Sequence, residues 1–288
     1  MVSLAIVGHL CLDYIVFKGR RNLQIGGPPF YCGITSREFG LKTYLITKFG
    51  PDFPYLNLLK DFKLSYYAKA KDLTTKFIHK IKGDRRTSQL LCRCEDIKEE
   101  QIEEFSFDSL LIDPVAQEVN PRIVKKGREK VGLMAMDPQG FLRRFSHNGY
   151  VYLGSLNTYL LNYIDIIKMD EEELNFIGSL KALDNKVTTL LVTFGRRGIL
   201  FINRRRGYKI PVPKVKVNHP TGAGDITISS LVANFLKGED PLYSACLSVA
   251  CASLSMEREI KFKIPPLEKV KEVAEVLLQK VEKIGDVE

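Results

Sequence analysis

Two kinds of residue in this chain stand where they could do chemistry: carboxylates that follow apolar runs, and a glycine-rich turn that opens a helix. The turn is His219-Pro220-Thr221-Gly222-Ala223-Gly224-Asp225. It runs directly into Ile226, Ile228, Leu231, Val232, Phe235 and Leu236 at helical spacing. Pro220 favours a turn. Gly222 and Gly224 carry no Cβ, so backbone can approach a ligand closely there. A helix starting here offers unpaired N–H groups and the positive end of its dipole, which outlines an anion site. Asp225, in the first turn, has two readings: a carboxylate that caps the helix, or a base held beside a bound phosphate.

Other polar groups follow apolar runs in the same way. Asp13 ends Gly8-His9-Leu10-Cys11-Leu12-Asp13 and either forms a turn or holds substrate hydroxyls by charge-assisted bonds. Asp170-Glu171-Glu172-Glu173 opens a helix, where acidic residues complement the dipole. Asp170 and Glu173 share a face at i, i+3, and Mg²⁺ takes only one or two carboxylates. Thr193-Phe194-Gly195-Arg196-Arg197-Gly198 is either a plain turn or a loop near nucleotide phosphates. His219 has no sequence partner that would make it a general base. No Gly-x-x-x-x-Gly-Lys-Ser/Thr occurs, which excludes a Walker-type nucleotide loop.

The elements that position these groups alternate. Residues 3–8 read as a buried strand, Gly26-Gly27-Pro28-Pro29 as a turn, and Phe30 to Phe39 as a helix stopped by Gly40. Thr43 to Phe49 reads as a second strand and 54–62 as a short helix. Further strands fall at Leu110 to Ile112, Val131 to Met136, Tyr150 to Leu153, Ile164 to Met169 and Leu190 to Thr193. Helices are expected at 225–236, 241–255 and 266–282. Apolar strands alternating with helices predict an α/β fold, a mainly parallel sheet covered on both faces. Residues 64–95 differ: Tyr66 to Lys69, Thr75 to Ile81 and Ser88 to Cys94 are short and β-prone, with a Gly83-Asp84 turn, and predict a small antiparallel sheet. In open α/β sheets, ligands bind beyond the carboxyl ends of the strands. Gly8 to Asp13, Gly50-Pro51-Asp52, Asp137-Pro138-Gln139-Gly140, Asp170 to Glu173 and Gly195 to Gly198 all fall there.

Composition sets the frame. The chain has 288 residues, 45% hydrophobic, enough for a sizeable core. Its formal net charge of +9 is spread along the chain, with Arg196-Arg197, Arg204-Arg205-Arg206 and Lys125-Lys126 the densest groups. None is interleaved with aromatics, which argues against nucleic acid and for a phosphate-attracting or solvated face. The cysteines Cys11, Cys32, Cys92, Cys94, Cys246 and Cys251 form no CxxC pair. No run approaches the ~18 apolar residues of a membrane span. We expect a cytoplasmic protein with reduced thiols, with no membrane partner.

Taken together, these motifs resemble the ribokinase-like (PfkB) carbohydrate kinases over nearly the whole chain. The family pattern Asp-Thr-x-Gly-Ala-Gly-Asp is similar to residues 219–225. Its early Gly-Gly turn and closing Gly resemble Gly26-Gly27 and Gly40, its Gly-x-Asp resembles Gly50-Pro51-Asp52, and its Asn/Asp-x-x-Glu resembles Asp170 to Glu173. Thr193, Gly195 and Gly198 match its Thr-x-Gly-x-x-Gly turn, and Gly8 with Asp13 its first strand end. The resemblance implies a three-layer kinase domain over 1–288, with 64–95 contributing most of an inserted β lid. It also implies ATP and Mg²⁺ as cofactors and a small polyol as substrate. Asp225 would be the base, with Gly222, Ala223 and Gly224 as anion hole. Asp13, Gly26, Gly27, Tyr31 and Gln139 would bind the acceptor. Thr193, Gly195, Gly198, Thr221 and Gly222 would bind ATP, and Asp170 and Glu173 would organise Mg²⁺. Gly26 to Tyr31 and Asp137 to Arg143 look most like the inositol-kinase branch. A nucleoside kinase and a non-catalytic nucleotide sensor are the rivals, and the lid, with its β-prone strands at 75–94, offers a face through which two copies could form a homodimer.

Four departures accompany the resemblance. His219-Pro220 replaces Asp-Thr, which argues against activation by a potassium-type cation. Tyr31 stands where many sugar kinases have Asn, which points to a more aromatic pocket. Asp170 replaces Asn, and Phe53-Pro54 replaces the second Gly after Gly-x-Asp.

Overall fold

A computed structural model describes residues 1–83, 85–178, 183, 186–219, 221–257 and 263–286. In chain order its strands are β1 (Ser3–Val7), β2 (Cys11–Phe17), β3 (Arg20–Gly26), β4 (Lys42–Ile46), β5 (Lys63–Leu64), β6 (Thr75–Lys82), β7 (Arg85–Cys92) and β8 (Ser109–Ile112). Then follow β9 (Leu133–Met136), β10 (Arg143–Phe145), β11 (Val151–Leu153), β12 (Ile166–Asp170), β13 (Thr189–Thr193), β14 (Ile199–Asn203), β15 (Arg206–Ile210) and β16 (Glu282–Asp286). Among the described residues, the helices of seven residues or more are α1 (Pro28–Glu38), α2 (Pro121–Arg128), α3 (Glu171–Ile177), α4 (Ala223–Leu236), α5 (Pro241–Glu257) and α6 (Leu267–Leu278).

The central sheet runs β16-β15-β14-β13-β12-β9-β8-β1-β4-β5. From β13 to β5 every pairing is parallel, so these strands end on one edge. Burial on both faces explains their continuous apolar runs. Leu4 and Ile6 of β1 pack into one core with α4 and α5, while Ala5 and Val7 pack into the other with α2. That is the two-sided burial the alternation predicts. The far side is antiparallel: β14, β15 and β16 pair in that sense, and these three strands were not read from the sequence.

The lid is a four-stranded sheet, β3-β2-β6-β7. Residues 64–95 supply two of its four strands, β6 and β7. The other two, β2 and β3, join through Lys18 and Gly19, both at positive φ (50° and 74°). That is a two-residue hairpin turn between β-prone runs, a feature local to the sequence. The lid is also not wholly antiparallel, because β2 and β6 pair in parallel. Tyr66–Ala68 is a 3₁₀ turn rather than a strand, and Asp84 of the expected Gly83-Asp84 turn lies outside the described residues. Tyr150 to Leu153 gives β11, which pairs with β10 in a separate hairpin instead of joining the central sheet. That hairpin props the lid, since the Leu90 N–H donates to the Gly149 carbonyl at 2.8 Å.

Candidate active site

The cleft lies between the lid and the strand-end edge. At its floor α4 begins. Gly222 precedes it at φ +84°, a left-handed conformation that glycine adopts without strain. The Ile226 N–H closes the first turn onto the Gly222 carbonyl at 2.9 Å. Asp225 is only partly open to solvent. Burial pushes its carboxyl up to about 7, Asp137 adds to the rise, and Lys168, Arg86 and Arg143 pull it back. Pro220 of this motif lies outside the described residues.

Asp13 is on β2, in the lid, rather than in a loop after β1. Among the described residues its Oδ1 is buried without a hydrogen-bond partner, and the nearest cation-capable atom is His79 Nε2 at 3.7 Å. His79 does not neutralise it, because burial and then Arg86 hold that imidazole down at about 4. A Cβ on Gly26 would lie 1.9 Å from Asp13 Oδ2, so the glycine leaves the carboxylate its space. Gln139 is held at both ends: its Nε2 donates to Asp113 Oδ1 at 2.9 Å and its Oε1 accepts from Arg143 at 2.5 Å. Burial, then Asp137 and Asp225, raise the Asp113 carboxyl well above the usual range.

Lys168 is the largest addition to the expected set. It lies in β12, buried, and its Nζ donates to Asp137 Oδ2 at 2.6 Å. Burial alone would lower its pKa, but Asp137, Glu173 and Asp113 outweigh that and hold the ammonium above its ordinary value. A Cβ on Gly224 would stand 2.7 Å from Nζ, so the cation reaches the backbone of the anion hole. Its signal was a lone lysine inside Ile166-Ile167-Lys168-Met169, an apolar strand. Asp113 carried the strand-end signal too, directly after Leu110-Leu111-Ile112.

Asp170 and Glu173 form a reciprocal capping box at the start of α3: each backbone N–H donates to the other's carboxylate at 2.8 Å. Glu173 is buried, and burial with Asp137 raises it to about 8 against the pull of Lys168. Among the described residues no three His, Cys, Asp or Glu side chains cluster as a metal cage. Thr193 ends β13 opposite Asp170, so the Gly195–Gly198 turn lies one strand further along the same edge. Tyr31 is buried: its hydroxyl meets Gln24 and Thr221, and its ring lies against Gly222. Asp52 anchors the lid, accepting from Thr74 N and Oγ1 at 2.8 Å each and pairing with Lys76 at 2.7 Å. Among the described residues, no helix is long and apolar enough to cross a membrane.

Residues 141–260 match the model of the pfkB family carbohydrate kinases. The chain is 25% identical over 284 residues to inositol 3-kinase of Arabidopsis thaliana, covering 93% of this chain and 78% of that protein. It is 23% identical to nucleoside kinase of Methanocaldococcus jannaschii, covering 94% of this chain and 96% of that one. A solved pyrophosphate-dependent kinase in the ribokinase family, complexed with a pyrophosphate analog and myo-inositol, superposes with a TM-score of 0.80 at 20% identity. That match spans 94% of this chain and 100% of the other, and shows a ribokinase-like fold.

Proposed function

We propose that this chain, which belongs to the pfkB family of carbohydrate kinases, transfers the γ-phosphoryl group of ATP to a hydroxyl of a sugar or cyclitol, a myo-inositol-like acceptor being favoured. One observation carries the reading: a carboxyl poised at about 7 in the first turn of α4, in a cleft that also holds the unpartnered oxygen of Asp13. Asp13 accepts hydrogen bonds from acceptor hydroxyls. Asp225 takes the proton of the attacking hydroxyl and later releases it to water. The N–H groups of Gly222, Ala223 and Gly224, the α4 dipole and the Lys168 ammonium take up charge on the transferring phosphoryl oxygens. Gly26, Gly27 and Gln139 shape the acceptor side. Thr193, Gly195, Gly198 and Thr221 hold the donor. The lid excludes water from the reaction.

Asp170 and Glu173 fit Mg²⁺ held chiefly through water, because each commits one carboxylate oxygen to the capping box and keeps the other. When bound, the ion would neutralise charge on the donor phosphates. We place the enzyme in the cytoplasm, acting on a small polyol rather than on nucleic acid. The Methanocaldococcus relative favours a nucleoside as the second acceptor to try, and the pyrophosphate-dependent structure favours pyrophosphate as the second donor.

The test is phosphate transfer from ATP or pyrophosphate to a panel of myo-inositol, hexoses, 2-keto-3-deoxygluconate and nucleosides, with Asp225→Asn as control. We expect turnover with a cyclitol or sugar and at least a hundredfold loss in the variant, at the low end of what a positioned base supplies. Absence of turnover on every acceptor would favour a non-catalytic sensor. Turnover retained by the variant would remove Asp225 as base.

A further inference from the structure

Gln24 joins three elements that the reaction needs in register. It stands on β3 directly opposite Asp13 on β2, so both side chains leave the same face of the lid, toward the cleft. Its side chain is buried. The amide nitrogen donates at 3.1 Å to the Tyr31 hydroxyl and at 3.0 Å to the Thr221 hydroxyl. A carboxamide has two N–H donors, and both are committed. The two hydroxyls are 3.4 Å apart and complete a triangle. Tyr31 belongs to the first turn of α1, and Thr221 immediately precedes the anion hole.

The contact extends into the hole itself. A Cβ on Gly222 would stand 2.5–2.7 Å from atoms of the Tyr31 ring, so the ring forms one wall of that glycine. Glycine has no side chain to fix its own conformation, and its neighbours must do so. Burial holds the Tyr31 phenol above its ordinary value, so it stays protonated while its oxygen accepts from Gln24. A second bond crosses at the tip of the same hairpin, from Lys18 Nζ to the Val217 carbonyl at 3.4 Å.

We propose that Gln24 and Tyr31 are positioning residues that tie the anion hole to the lid: the hole reaches its working shape when the β2–β3 hairpin carrying Asp13 is seated. The proposal rests on the reading of Gly222 to Gly224 as the phosphoryl-binding backbone. An acceptor gripped by Asp13 fixes β2, the ladder fixes Gln24 beside it, and Gln24 holds Thr221 and, through Tyr31, Gly222. Neither side chain touches a reacting atom.

The experiment is a double-mutant cycle on turnover, with hydrogen exchange as a readout independent of catalysis. Thr221→Val is expected to lower kcat about tenfold, the worth of one buried hydrogen bond, and Gln24→Ala, which gives up two, at least as much, with the acceptor KM within about twofold in each. The double variant should be about as slow as Gln24→Ala alone. Thr221→Ser, which keeps the hydroxyl, should retain several times the activity of Thr221→Val. Independent losses that multiply to about a hundredfold would overturn the proposal. So would a normal Gln24→Ala beside a Thr221→Val defective only in donor KM, since Thr221 would then serve the donor alone. Amide exchange across residues 221–226 should quicken severalfold in Gln24→Ala, with α5 and the melting temperature little changed. Unchanged exchange there overturns the tie whatever the kinetics. Should the wild-type chain phosphorylate nothing, the kinase reading falls, and the exchange result alone decides the tie.

Discussion

Asp225 carries a carboxyl that folding moves from an ordinary 3.8 up to about 7, through burial and then Asp137. Between those values the folded chain binds more protons than the unfolded one, so this group's contribution to stability is full below about 3.8 and is lost as pH rises toward 7. Activity runs the other way, because a base must be deprotonated, so kcat/KM should fall below pH about 7. Lys168 is one of the groups holding that value down. Lys168→Met should therefore move the acid limb of the pH–rate profile upward, beyond any loss of kcat from the missing charge. It also leaves Asp137 buried without its cation, a cost of about 3–5 kcal/mol, so the profile is best measured well below the melting temperature. A limb that stays where the wild type has it would show that Lys168 does not reach Asp225 electrostatically.

At the scale of elements, the lid shows what local sequence carries and what it does not. The apolar β-prone runs at 75–94 were legible because alternation and a glycine turn are local properties. Strands β2 and β3 join through the local Lys18-Gly19 turn, but the place of β2 beside β6, some sixty residues away in sequence, from Cys11↔Thr75 to Phe17↔Ile81, is not a local property. The same limit applies to β16, whose partner β15 lies far upstream. In the site, the first-turn position of Asp225 was legible from the glycine-rich helix start, whereas Asp13, read as following a strand, stands within β2. Lys168 is understood only with Asp137, which arrives from another strand. Asp52 shows a motif put to structural use: the Lys76 and Thr74 bonds outweigh its burial and bring its carboxyl down to about 2. Its stabilising charge is thus present above about 3.8 and lost as pH falls toward 2. Asp52→Asn should quicken amide exchange in β6 severalfold at neutral pH. Exchange in β6 at the wild-type rate would mean that Thr74 and Lys76 hold the lid without it.

Over the whole molecule, one face of the lid remains to be accounted for. Its inner face closes on the cleft, and a small core of Cys11, Phe77, Val115 and Ala116 seals it to the body. The outer face carries Leu23, Tyr14 and Ile78 in one row across three strands, with Leu91 on the neighbouring strand. Leu23 and Leu91 are 43% and 45% exposed. Contiguous exposed apolar patches of several hundred Å² mark interaction surfaces. We expect two lids to pair through it, giving a particle of twice 32.7 kDa. The charge of the chain makes the test sharper. Each copy carries a formal +9, so the copies repel, and salt screens that repulsion while leaving apolar contact intact. Association should therefore tighten between low salt and about 0.5 M, where an interface built on ion pairs would loosen. Leu23→Glu places a charge in the centre of the row and should return the chain to a monomer without lowering its melting temperature. A wild-type chain that sediments as a monomer at high salt would rule out the lid as the pairing face.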